Sequence, residues 1–206
     1  VLDLIDKTEF DTIYHEHLSY IALRPIQRLA SMHDLRVARA EKHEIHGGSI
    51  RVYLEHASQN RSDGSAEKIM REEDEAGLYT LRHYEQFREN VELIKIGLSS
   101  IAQRIKNERK SISVFGASAK GNILLNYCGI NKDQVNWAFD HTPEKQGKLT
   151  PGTNIPIIHP DNLLEKMPDY LLLTAWNFSK EIMDKTKDYK EKGGKYIIPI
   201  PYPKIV

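Results

Sequence analysis

The chain has 206 residues, of which 40% are hydrophobic, and this is enough apolar material for a folded core. Its 29 Lys and Arg residues balance its 29 Asp and Glu residues, so no overall field attracts nucleic acid or an acidic membrane. One cysteine, Cys128, excludes a disulfide framework and a zinc site built from several cysteines. We find neither a signal peptide nor a long apolar run, which predicts a cytoplasmic protein.

The first region, residues 1–56, is predicted to contain a short amphipathic helix, a polar and aromatic loop, a second helix and two strands. The strands cover residues 35–42 and 49–56 and are joined through Gly47 and Gly48, which allow the positive φ of a tight connection. Two strands alone make a marginal sheet, so we expect them to be paired or covered by other parts of the protein. The opening residues resemble the later part of an amphipathic helix whose start is absent. We therefore expect the chain to belong to a longer polypeptide.

The second region, residues 57–110, is predicted to be a helical connector. Apolar side chains recur there at spacings of three and four, at Leu81, Tyr84, Phe87, Val91, Ile94, Leu98, Ile101 and Ile105. This spacing places them in one stripe along a helix. The stripe predicts one continuous helix over residues 81–105 that packs on two lobes, because it is too long for one small sheet to cover.

Strands and helices alternate in the third region, residues 111–206. Strands are predicted at residues 111–115, 135–139, 155–158, 170–174 and 196–200, and helices at 119–127, 160–166 and 178–192. Such alternation indicates right-handed crossovers. The predicted fold class is α/β, with a Rossmann-like, mainly parallel sheet that carries helices on both faces.

Residues 10–20, with the sequence FDTIYHEHLSY, crowd two histidines, a carboxylate and two tyrosines into one short loop. A histidine is a general base near neutral pH, a carboxylate can orient it, and a phenol can hydrogen-bond an oxyanion. These groups suit removal of a proton next to a ketone. The same pattern also suits two metal ligands, with Glu16 or His46 as a third, or polar residues satisfied at a domain junction.

A second candidate lies between a predicted strand and helix, where the sequence is GASAKGN. Glycine in such a turn lets a phosphate approach backbone N–H groups at a helix start, and Lys120 adds positive charge. The spacing matches neither a dinucleotide fingerprint nor a P-loop. A turn that serves only close packing remains the alternative. The polar side chains of this turn are Ser118, Lys120 and Asn122.

Two further positions follow predicted strands of the same sheet. Asp140 stands where dinucleotide enzymes place a ribose-binding acid, which favours a nicotinamide-dependent oxidoreductase as the main rival function. Trp176 and Asn177 follow a later strand, where an amide can bind a sugar hydroxyl, although Asn177 also suits a helix N-cap. Because both loops follow parallel strands, we expect Trp176 and Asn177 to share a pocket rim with Ser118, Lys120 and Asn122.

The chain resembles the deoxysugar C-methyltransferases. The resemblance rests on five segments in order: FDTIYHEHLSY, HGGSIRVYLEH, VFGASAKGNILLNYCGI, DHTPEKQGKLTPGTNIPI and LLLTAWNF. It implies S-adenosylmethionine as methyl donor and a nucleotide-linked keto-deoxysugar as substrate, whose pyrophosphate or sugar would contact Ser118, Lys120 and Asn122. It also implies a small zinc-binding N-terminal domain and a central class I methyltransferase domain, both largely outside this chain. Residues 1–56 would be the tail of that central domain, and residues 111–206 the Rossmann-like C-terminal domain.

The resemblance further implies the roles of the loop residues. His17 would abstract the proton from the sugar carbon beside the keto group, Tyr14 would stabilise the enolate oxygen, and Glu16 would position the histidine or the sugar. We give His15 a structural role, and expect a further active-site histidine upstream. No glycine-rich turn precedes Tyr14, so we expect the donor to bind outside this chain and the chain alone to be inactive. A non-catalytic sugar-nucleotide-binding module is the other alternative.

Overall fold

A computed structural model describes residues 1–59 and 61–206, with the side chain of His46 outside the description. The chain divides into two compact units. The first comprises Val1–Glu9 and His17–Glu89, and the second comprises Phe10–Glu16 and Asn90–Val206. Within the described residues, every helix is too short or too polar to cross a membrane.

The first unit is built on a two-stranded antiparallel sheet covered by helices. Its elements are α1 (Leu2–Asp6), α2 (Leu23–Ser31), β1 (Leu35–His43), β2 (Ser49–His56) and α3 (Ser65–Glu75). Leu23 of α2 and Ile69 of α3 pack with Val37 and Ala40 of β1 in one buried cluster. The predicted hairpin is therefore covered by helices of this chain, one of which comes from the predicted connector.

Two buried carboxylates hold this unit together. The carboxylate of Glu73 accepts hydrogen bonds from the backbone N–H of Leu23, at 2.9 Å, and from the Tyr79 hydroxyl, at 2.6 Å. Glu9 lies against the turn between β1 and β2, where a Cβ on Gly47 would come within 2.3 Å of its carboxylate oxygen. Gly47 also has a φ of +94°, so both its backbone and the space around it require glycine.

A single helix, α4 (Leu81–Asn107), contributes to both units. Phe87 packs against a buried cluster of the first unit that contains Ile5 and Leu78. In the second unit, Val91, Ile94, Leu98 and Ile105 are buried. The prediction of one continuous connector helix is confirmed. Its apolar stripe is incomplete at the start, because Leu81 and Tyr84 are exposed.

The second unit is a six-stranded sheet with helices. After α4 its elements are β3 (Ile112–Phe115), α5 (Ala119–Cys128), β4 (Ala138–Phe139), β5 (Ile157–Ile158), α6 (Leu163–Lys166), β6 (Tyr170–Leu173), α7 (Ser179–Lys185), α8 (Lys187–Glu191), β7 (Lys195–Ile198) and β8 (Lys204–Ile205). The strand order is β5-β4-β3-β6-β7-β8. Strands β3 to β7 are parallel, and β8 runs antiparallel to β7.

This order is that of a Rossmann fold, and the predicted α/β class is confirmed. One face of the sheet packs against α6, α7 and α8 through Leu163, Ile182 and Tyr189. Side chains alternate along a strand, so Leu171 and Leu173 join that cluster while Leu172 faces the other side. The order reverses between β3 and β6, and ligands of such sheets bind outside this point.

Several predicted bounds were wrong. The strands β4 and β5 are two residues each, shorter than predicted, and the helix predicted over residues 178–192 is two helices separated at Thr186. The hydroxyl of Thr186 bonds the carbonyl of Ile182 at 2.7 Å and the Tyr196 hydroxyl at 2.7 Å. The final strand, β8, was not predicted.

Candidate functional site

The turn between β3 and α5 is packed tightly against the end of β6. A Cβ on Gly121 would lie 2.8 Å from the Cβ of Thr174, and one on Gly116 would lie 3.0 Å from the Thr174 hydroxyl. Ser118 caps α5, since its hydroxyl accepts the Gly121 N–H at 3.1 Å. The glycines therefore allow close packing of the helix on the strand, as one of the two alternatives for this turn predicted.

The two loops that follow β3 and β6 emerge side by side, because these strands are parallel neighbours. The Lys120 ammonium lies 4.2 Å from the centroid of the Trp176 ring and 3.5 Å from Oδ1 of Asn177. Three of the five predicted substrate residues therefore lie together at the carboxyl edge of the sheet. Asn177 is not the N-cap of α7, which begins at Ser179 with Phe178 as its preceding residue.

The other two predicted residues have different surroundings. Ser118 uses its hydroxyl to cap the helix, as described above. Asn122 lies one turn into α5, and its Oδ1 is buried without a hydrogen-bond partner among the described residues. Buried carbonyl oxygens are rarely left in this state, and ligands or unseen waters are the usual partners.

Asp11 is a site residue that the sequence did not predict. It is completely buried, and its Oδ2 accepts the indole N–H of Trp176 at 2.6 Å. Burial raises the pKa of Asp11 to about 6, even though the charge of Lys120 and the Trp176 N–H act to lower it. Phe10, the residue before Asp11, packs its ring on that of Tyr127 of α5, with the ring centroids 5.1 Å apart. These contacts fix the start of the histidine-rich loop on the second unit.

The sequence held no signal for this contact, because Asp11 and Trp176 are 165 positions apart. An acidic residue beside a phenylalanine at the start of a polar loop looks like any exposed loop residue. Only the three-dimensional fold brings its carboxylate to the indole N–H of Trp176.

The predicted catalytic residues lie just beyond Asp11. Tyr14 is half-buried, and Glu16 is exposed with its carboxylate 3.8 Å from the ring of His15. His17 is exposed and meets the ring of Tyr20 edge-on, with centroids 6.3 Å apart. Tyr14 and Glu16 belong to the second unit and His17 to the first.

The carboxylate of Asp140 is hydrogen-bonded by other groups of the protein. It accepts the N–H groups of Ala117 at 2.7 Å and Thr142 at 2.9 Å, and the Lys145 ammonium lies 3.2 Å away. Burial acts to raise the pKa of Asp140, but these bonds outweigh it and hold the pKa below its ordinary value. The acid that suggested ribose binding instead ties the β3–α5 turn to the loop after β4.

The described side chains contain no group of three His, Cys, Asp or Glu residues that could hold a metal ion. His46, proposed as a third ligand, has its side chain outside the described part. Cys128 is a buried free thiol, and burial raises its pKa to about 12. Its interpretation as a small core residue is confirmed.

A mainly parallel sheet of Rossmann order, with polar and aromatic side chains gathered at its carboxyl edge, defines a Rossmann-like α/β domain, a class in which ligands usually bind at that edge. Comparison with known proteins narrows this class. The family model of the C-methyltransferase C-terminal domain matches residues 44–201, so the chain belongs to that family. It is also similar to the C-methyltransferase NovU of Streptomyces niveus, with 35% identity over 207 residues. That match covers all of this chain and 49% of NovU, so the chain spans about half the length of this relative.

Proposed function

We propose that this chain is the part of a C-methyltransferase that binds a nucleotide-linked keto-deoxysugar and removes the proton from the carbon to be methylated. The observation that carries the proposal is the similarity to a C-methyltransferase along the whole chain, which includes the loop with Tyr14, Glu16 and His17. Methyl transfer to a carbon needs a carbanion or enolate. A loop rich in histidine, carboxylate and phenol has the groups to form one.

His17 is the proposed general base. Its imidazole takes the proton from the carbon beside the ketone, and the electrons of that C–H bond move into the enolate. Histidine is the side chain that most often serves as a general base in proton transfer. A positioned general base contributes about two to four powers of ten in rate.

Tyr14 is proposed to donate its phenol O–H to the enolate oxygen, and Glu16 to orient the histidine or the sugar. The contact of Asp11 with Trp176 supports this role of Tyr14, because Asp11 lies only three residues before Tyr14 in the chain. Three residues span at most about 10 Å. Tyr14 therefore lies close to the carboxyl edge of the sheet, where Lys120 and Asn177 are.

Lys120, Trp176 and Asn177 are the proposed contacts of the nucleotide sugar, together with Ser118 and Asn122. The ammonium of Lys120 suits a phosphate, and the start of α5 adds the positive end of a helix dipole. The Asn177 amide and the unpartnered Oδ1 of Asn122 suit sugar hydroxyls. The Ser118 hydroxyl already caps α5, so its proposed role is to hold the turn in shape beside the nucleotide sugar.

S-adenosylmethionine is the proposed methyl donor, and it would supply the methyl group as an electrophilic carbon on a sulfonium. The residues of this chain do not form a site that fits S-adenosylmethionine. The first glycine of this chain is Gly47, so residues 1–46 contain no glycine-rich turn that could hold the donor. We assign no residue of this chain to the donor.

The test compares two neighbouring histidines in the full-length enzyme. We expect His17→Ala to lower turnover by about 100-fold or more while the dissociation constant for the nucleotide sugar stays within twofold, because a general base acts in the transition state. His15→Ala is the matched control, and we expect it to keep its turnover. Unchanged turnover in His17→Ala, or equal losses in both variants, would show that His17 is not the base.

A further inference from the structure

The hydrogen bond between Asp11 and Trp176 joins two short helical turns of the second unit. Asp11 lies in the 3-10 turn Phe10–Thr12, which the N–H of Ile13 closes with a hydrogen bond of 3.0 Å. Trp176 lies in a second 3-10 turn, Trp176–Phe178, which follows β6. The bond therefore holds one ordered turn against another, and neither partner is on a free loop.

Tyr14 comes directly after the first of these turns. The ring of Phe10 is buried on Tyr127 of α5, and the carboxylate of Asp11 is buried on the indole N–H of Trp176. One apolar and one polar anchor thus hold the backbone up to Ile13. Because Tyr14 is the next residue, these anchors fix the point from which its side chain starts.

The carboxylate of Asp11 is costly in this place. Burial is the largest influence on it and raises its pKa to about 6. An amide would accept the same indole N–H without a charge to bury. An ionised acceptor, however, makes a hydrogen bond about twice as strong as a neutral one, and costly titratable groups cluster at functional sites.

We propose that Asp11 is a positioning residue for proton removal: through Trp176 it fixes the turn before Tyr14 and so sets where the phenol meets the enolate oxygen. Asp11 is completely buried, so it acts through Tyr14 and not on the substrate. A displacement of about 1 Å in a catalytic group can cost about 100-fold in rate. The inference rests on the proposed function, because it needs Tyr14 to act on the enolate.

The experiment measures kcat in the full-length enzyme with Asp11→Ala, Tyr14→Phe and both changes together. Asp11→Ala should lower kcat about 10-fold or more and change the dissociation constant for the nucleotide sugar less than about threefold. Added to Tyr14→Phe, it should lower kcat less than about twofold further, because its effect passes through the phenol. Asp169→Ala is the control and should keep its kcat, since Asp169 binds Ser111 at the amino edge of the same sheet.

Asp11→Asn separates positioning from stability. The amide keeps an acceptor for the indole N–H but a neutral one, so kcat should fall between that of the original enzyme and that of Asp11→Ala. The free energy of unfolding at pH 7 should not fall, because a buried charge has been removed. A residue with only a structural role would lose turnover together with stability, and that result would contradict the inference.

Trp176→Phe tests the same bond from its other side, also where Asp11→Ala does not fold. It removes the indole N–H and keeps an aromatic ring, and kcat should fall. The inference is overturned if Asp11→Ala or Trp176→Phe keeps full kcat while Tyr14→Phe loses it, or if the losses of Asp11→Ala and Tyr14→Phe multiply. Full kcat in Tyr14→Phe would instead overturn the proposed role of Tyr14, and this inference with it.

Discussion

Asp11 shows how one residue can combine an electrostatic cost with a structural role. Its carboxylate anchors the start of the histidine-rich loop through Trp176, yet burial raises its pKa to about 6 from an ordinary 3.8. The folded chain therefore holds this proton more tightly than the unfolded chain. The associated stability is fully present below pH 3.8 and is lost as the pH rises through 6, by roughly 3 kcal/mol for such a shift.

We expect Asp11→Asn to remove this pH dependence, because an amide keeps an acceptor for the Trp176 N–H but does not titrate. Between pH 4 and pH 7, the variant should gain stability relative to the original chain. Urea unfolding at pH 4.5, 5.5 and 7 measures this. Asp169→Asn is the control: bonds from Ser111 lower the pKa of Asp169 below 3.8, so its titration lies below this pH range and the variant's curve should run parallel to that of the original chain. Parallel curves for Asp11→Asn and the original chain would contradict the expectation.

At the scale of elements, close packing decides where the residues of the β3–α5 turn lie. Gly121 brings α5 against Thr174 at the end of β6, which places Lys120 beside Trp176 and Asn177. Gly97 of α4 has an ordinary environment, in which a Cβ would meet Pro203 at 3.4 Å, a normal van der Waals distance. Both glycines lie inside helices, so they form a matched pair.

We expect Gly121→Ala to lower the free energy of unfolding by about 1–3 kcal/mol, because the new methyl group overpacks a rigid contact. Gly97→Ala should raise it by up to about 1 kcal/mol, because alanine favours a helix interior over glycine. Denaturant unfolding of both variants checks the two signs. Stabilisation by Gly121→Ala would show that the α5–β6 contact has room for a side chain.

At the scale of the whole molecule, α4 runs without a break from the first unit into the second. The first unit joins a hairpin to α3, so the predicted tail of residues 1–56 shares its core with part of the predicted connector. The assignment of that tail to a methyltransferase domain stays a prediction. The binding of the methyl donor outside this chain also stays a prediction.

We predict that the 206-residue chain transfers no methyl group from S-adenosylmethionine to a keto-sugar nucleotide, although it contains the proposed base. Methyl transfer requires the donor carbon in line with the enolate carbon, and this positioning supplies a large part of the rate. In heavy water, the chain should slowly exchange the proton beside the ketone, as seen by NMR, and His17→Ala should abolish that exchange. Methylation by the chain alone would show that the donor site has been misplaced.

The sequence by itself determined the α/β class, the continuous α4 and the two loops that meet through Lys120 and Trp176. These features depend on local periodicity and on a general rule, that parallel neighbouring strands end at one edge of a sheet. The same rule favoured a ribose-binding role for Asp140, which the structure shows bound to backbone and Lys145 instead. Local sequence cannot distinguish a carboxylate that binds a ligand from one that its own loop satisfies.

Only the tertiary structure decided the burial of Asp11 and the presence of β8. Each depends on contacts between separate segments: Asp11 with Trp176, and Lys204 with Ile198 in an antiparallel pair. The break at Thr186 has the same origin, because its hydroxyl binds Tyr196 of the adjacent strand. Hydrophobic period and turn chemistry report on neighbours a few residues apart, whereas burial and pKa are set by whichever segments the fold brings into contact.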